Sequence, residues 1–160
     1  MFKSNDPATS SLPWLGFTKR YLIWTTALNF IWEVLQLPLY TIWMNSSARD
    51  IAFAVVHCTV GDAMITVFSL VAAVVLVGKR EAPDRLYWAV AVTTILLGLI
   101  YTIYSEWNNT VVTQSWAYAA SMPQIGGIGL SPIAQWIFIP VFAFWRLQRH
   151  TVNLKAQLRK

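Results

Sequence analysis

Four long apolar runs make up most of this chain, and one of them carries polar residues that a bilayer tolerates poorly. Within Asn29-Phe-Ile-Trp-Glu33-Val-Leu-Gln36-Leu-Pro38-Leu-Tyr40, an amide, a carboxylate and a second amide fall at i, i+4 and i+7. That spacing puts all three on one face of a helix. An ionisable group inside a membrane costs about 2.5–3.5 kcal/mol on insertion scales and marks a functional site by default. The question for the rest of the sequence is what surrounds Glu33.

The runs predict an all-α integral membrane protein, one polytopic domain over residues 1–160. Hydrophobic residues are 56% and charged residues 12% of the chain, against about 25% charged in an ordinary soluble domain. The predicted spans are 21–44, 51–77, 86–104 and 131–145, a four-transmembrane-helix bundle. A short polar turn, Asn45–Asp50, joins the first two, and Gly78–Arg85 with Pro83 joins the next two. A long outer segment, residues 105–130, separates spans three and four, and Ser131-Pro132 reads as an N-cap followed by proline at the first helical position. Of the 12 Lys and Arg residues, only Arg49 falls on the side of the first turn and the long segment. The positive-inside rule then predicts both termini in the cytoplasm, with a bacterial inner membrane as the expected location. The basic residues flank apolar runs, where lipid headgroups lie, so the net charge of +5 does not suggest nucleic acid. The single cysteine, Cys58, excludes an intramolecular disulfide.

At about 1.5 Å per residue, Glu33 lies about 16 Å below Met44, and Asp62 lies equally deep on the second span. A six-residue turn makes these spans antiparallel neighbours, so the two carboxylates are expected at one level. No Lys or Arg is buried with them. Such a pair must share a proton, bind a cation or take a proton from a neighbour, and His57 is the buried candidate. Glu33, Asp62 and His57 are therefore the candidate catalytic residues. His57 and Asp62 stand about 140° apart on an ideal helix, so only one lines a cavity unless Gly61 permits an irregularity. Asn29, Gln36, Glu106, Asn109, Trp116, Tyr118 and Gln135 are the candidate ligand-binding residues. Pro38 and Pro140 are expected to kink their helices. The aromatic residues near the span ends, Trp136 among them, fit an interfacial belt.

Four short spans holding carboxylates and a histidine resemble, in architecture, the EXPERA-type sterol isomerases and sigma-two receptors. That resemblance implies acidic residues inside a bundle cavity that binds cationic or carbocation-like amphiphiles. It aligns no motif, and no residue is carried over from it. No soluble-enzyme signature such as Gly-x-Ser-x-Gly, His-Glu-x-x-His or Cys-x-x-Cys is present.

The residues together predict an outward-facing polar cavity that binds a small amphiphile, such as an isoprenoid, sterol-like molecule or quinone, with acid/base chemistry on it as an option. Two alternatives stay open. One is a non-catalytic accessory subunit of a larger membrane complex or homo-oligomer, its polar residues setting helix register. The other is a metal site or permease with Glu33, His57, Asp62 and Glu106 as ligands. The sequence leaves the identity of any cofactor open.

Overall fold

In the computed structural model, residues 12–77 and 83–157 are described, with side chains described over 16–77 and 86–149. The polar start of the chain, part of the expected 78–85 loop and the last three residues lie outside these. The chain is mostly helical: α1 (Leu12–Gln36), a short α2 (Ile42–Asn45), α3 (Ala48–Val77), α4 (Pro83–Trp107) and α5 (Leu130–Gln157). The four long helices pack in a ring, α1 against α3 and α5, and α4 against the same two. Three of them contain stretches long and apolar enough to cross a membrane: Ala48–Val77, Leu86–Val112 and Leu130–Arg149. Large apolar side chains on α3, among them Phe53, Val60, Phe68 and Val75, point outward rather than into the ring. Water would not tolerate such a surface, whereas lipid tails would.

The expected first span is the one that departs. It was predicted to run to Met44, but α1 stops at Gln36 and passes into a 3-10 turn at Leu37–Leu39. Pro38 has no N–H to give to the turn before it, so it ends the helix here instead of kinking it. The polar face of α1, with Thr25, Asn29, Glu33 and Gln36 all buried, dilutes its apolar character below that of the other three. Pro140 is accommodated within α5.

At the end of the ring nearest the chain termini, an aromatic plug closes the interior. Tyr21 and Phe144 meet with ring centroids 4.6 Å apart, with Phe17 and Tyr87 around them. The Tyr87 hydroxyl donates to the Phe144 carbonyl. Leu70, Ala73, Val90, Ala91 and Ala143 complete this core.

The opposite end is covered by the long segment. α4 runs on through a π-turn at Asn108–Val112, and the chain then crosses the ring as an extended strap. Thr41 N–H donates to Ala117 O (3.0 Å) and Ala119 N–H to Leu39 O (2.9 Å), pinning the strap to the turn after α1. A hairpin pairs Gln124–Ile125 with Ile128–Gly129. Gly126 (φ 59°) and Gly127 (φ 83°) form its tip, where both central residues need positive φ. The strap is thus hydrogen-bonded into the fold along its length.

Gly98 of α4 sits under the Trp136 ring of α5, and a Cβ there would lie 2.3 Å from two ring carbons. Gly98→Ala should therefore destabilise the fold by about 1–3 kcal/mol, read as a lowered unfolding midpoint in detergent. Gly61→Ala, where nothing lies within 4 Å, should not lower it.

Candidate functional site

One amide group links three helices. Gln135, on α5 and 2% exposed, directs its Nε2 at Asn29 Oδ1 (3.1 Å), Glu33 Oε1 (3.1 Å) and Asp62 Oδ2 (2.8 Å). An amide nitrogen carries two protons, so the three acceptors share them. Trp136 Nε1 donates to Asp62 Oδ1 (3.3 Å). Gln36 Nε2 donates to Glu33 Oε1 (2.8 Å), and Gln36 Oε1 accepts from Ser131 Oγ (2.7 Å). Ser131 in turn accepts from Trp32 Nε1 (3.1 Å). The Glu33 and Asp62 carboxyls also face each other within hydrogen-bond reach. Two carboxyl groups can bond in this way only with a proton between them. Two carboxyls this close in a low-dielectric interior cannot both ionise cheaply, and neutral donors surround them.

Above this floor lies a cavity of about 920 Å³. Tyr40, Cys58, Thr102, Glu106, Asn109 and Trp116 line its upper part. Below Asp62 the lining turns apolar, with Ile65, Phe68 and Ala72 of α3 and Leu97 of α4. Its open side lies between α3 and α4, where the exposed His57, Met64, Phe68 and Tyr101 form the rim.

Glu106 is a third buried carboxyl, nearer the strap. Tyr118 reaches down from the strap and donates its hydroxyl to Glu106 Oε2 (2.5 Å). Burial, and next the bond to Glu106, raise the pKa of Tyr118, which keeps it a neutral donor. Trp116 turns its Nε1 toward Glu106 but closes no hydrogen bond there.

Several expected site residues come together here: Asn29, Glu33, Gln36, Asp62 and Gln135 form one hydrogen-bonded group, and Glu106 with Tyr118 forms a second. His57 does not join them. It stacks on Phe53 at the open rim (centroids 5.7 Å apart), and among the described residues neither carboxyl accepts a hydrogen bond from it. The structure places it at the cavity rim, not beside the pair. Both His57 and Asp62 line the cavity without any irregularity at Gly61, because the cavity's open side reaches round to the His57 face of an unbroken α3. Asn109 spends its side chain on Ser105 O (2.8 Å) inside the π-turn. The ligand set considered for a metal does not assemble: among the described residues no three His, Cys, Asp or Glu side chains converge on one point.

The sequence reading missed Ser131, Trp32 and Trp136 as parts of the network. Ser131 was expected to cap α5, but that helix begins at Leu130, which frees the hydroxyl for Gln36. Trp136 was assigned to an interfacial belt, yet it is 3% exposed and bonds Asp62. Adjacency to Gln135 was the available signal for Trp136. None marked Trp32.

Gln135→Leu leaves the Asn29, Glu33 and Asp62 oxygens short of donors in a dry interior. It should lower the unfolding midpoint in detergent by the equivalent of about 1–3 kcal/mol. Unchanged stability would show that the amide is dispensable to the bundle.

No protein-family model, curated protein or solved structure matches the chain, so the functional reading rests on this geometry.

Proposed function

We propose that this is a four-helix membrane protein that binds a small amphiphile in the cavity above the Glu33–Asp62 pair, with acid/base chemistry on the ligand available from that pair. α1 then serves as the fourth span, its polar face turned to the ring and its apolar face to lipid. The charge asymmetry assigns both termini to the cytoplasm. In a bacterial inner membrane the strap would face the periplasm.

The observation that carries the reading is a buried carboxyl pair, Glu33 and Asp62, that accepts from one amide and lines a cavity large enough for a ligand of drug-like size. Buried carboxyls that served only helix register would need no such space beside them. One carboxyl of the pair holds a proton to give and the other can accept one, so a bound group with a basic site or an acidic C–H could be protonated or deprotonated in place. The mixed lining suits an amphiphile: polar groups near the strap, an apolar trough further down.

Native mass spectrometry of the purified protein tests the binding reading. An organic adduct should accompany the wild type and be lost from Glu33→Gln, while the variant's unfolding midpoint stays close to that of the wild type. A wild type that carries no adduct and aggregates unless a second chain is supplied would favour the accessory-subunit reading instead. Orientation is tested in a Cys58→Ala background. A membrane-impermeant thiol reagent should label Ser47→Cys in intact cells and Lys160→Cys only after permeabilisation.

A further inference from the structure

We propose that the cavity selects an uncharged, hydroxyl-bearing, single-chain amphiphile, with its head between Thr102, Trp116 and the carboxyls and its chain in the trough between α3 and α4. The proposal rests on the amphiphile-binding reading above and narrows it to one ligand class.

Thr102 supplies the first reason. It is 5% exposed, lines the cavity, and its Oγ1 has no hydrogen-bond partner. Thr59, Thr94 and Thr110 each bond the carbonyl four residues back, at 2.7 Å. This is the default for a threonine in a membrane helix. Thr102 forgoes it, and a buried hydroxyl left unbonded is destabilising. Trp116 Nε1 is a second buried donor on the same cavity, turned toward Glu106 without closing a bond to it. An indole N–H can only donate, so the ligand head must offer an acceptor.

The carboxyls supply the second reason. Glu33, Asp62 and Glu106 line the cavity with no Lys or Arg among its lining residues. A phosphate or carboxylate head would enter against these and Asp50, four acidic groups in all, with no lysine or arginine to compensate them. A cationic head fares poorly for a different reason. Glu33 Oε1 and both Asp62 oxygens already accept hydrogen bonds from Gln36, Gln135 and Trp136, and the pair holds its own proton. An ammonium would also leave the Trp116 N–H without an acceptor. A hydroxyl meets the donors already present, accepting from Trp116 or Thr102, and can donate in turn to Thr102 Oγ1.

The trough sets the chain. From Asp62 to Ala72, the lowest α3 residue of the lining, the helix descends about 15 Å. That is the length of roughly twelve carbons in a zigzag with bonds of about 1.5 Å. The open side between α3 and α4 gives such a chain direct entry from the lipid.

The test uses the full chain in lipid nanodiscs, titrated with dodecanol, dodecylamine and dodecanoate, with bound probe counted by native mass spectrometry. Dodecanol should bind at least about tenfold more tightly than either charged probe. Thr102→Val and Trp116→Phe should each weaken dodecanol by about tenfold or more while leaving dodecylamine unchanged. Dodecylamine or dodecanoate binding as tightly as dodecanol would overturn the head-group assignment and leave the cavity reading standing. Equal dodecanol affinity in both variants would overturn the roles of Thr102 and Trp116. Binding by none of the three probes would overturn the cavity reading itself. If Thr102→Val does not fold, Trp116→Phe carries the test alone, since it keeps the ring and removes only the donor.

Discussion

The structure depends on how a carboxylate can be kept inside a membrane without a basic partner. Glu33 and Asp62 come from different helices, and no buried lysine or arginine meets them among the described residues. The solution uses neutral donors: Gln36, Gln135 and Trp136 all donate to the two carboxyls. An amide or indole N–H enters a low-dielectric interior at far lower cost than a charge. The arrangement also leaves the pair able to exchange its proton with a ligand, which a carboxylate neutralised by arginine would do less readily.

That constraint fixes much of the surrounding packing. Gln135 must reach α1 and α3 together, so α5 lies close to both. Trp136 follows Gln135 and presses onto Gly98 of α4, the close approach that a small residue permits. The helices therefore meet tightly around Gln135 and Trp136 and at the aromatic plug of Tyr21 and Phe144. They leave space towards the strap and, between α3 and α4, as far down as Ala72. The strap closes that end through backbone bonds to the turn after α1, and Tyr118 ties it to Glu106. The cavity is thus roofed by a hydrogen-bonded segment and open at the side, where an amphiphile would arrive from lipid.

Pro38 shows how a local rule and a global one interact. By ending α1 at Gln36, it shortens the most polar helix and frees Leu39 and Thr41 to hold the strap. Read along the chain alone, proline in an apolar run could mean a kink or a stop. Only the presence of partners for the released backbone groups decides between them.

The helical class, the positions of three of the four long helices and the depth match of Glu33 with Asp62 were legible in the sequence. They follow from periodicity, run length and helical rise, which are local properties. Asn29, Gln36 and Gln135 could be picked out because an amide in an apolar helix needs a partner wherever the helix packs. The side chains that complete the site were not legible. Trp136 looks like an interfacial anchor until its burial is known, Ser131 looks like a cap until the helix start is known, and nothing along the chain marks Trp32. His57 looked like a base because depth along a helix says nothing about which neighbour the face meets. Thr102 carried no signal at all, since its meaning lies in a hydrogen bond it does not make. Rotation of each helix about its axis, and hence which polar group faces which, is set by packing among all four long helices at once, and that information is not contained in any one of them.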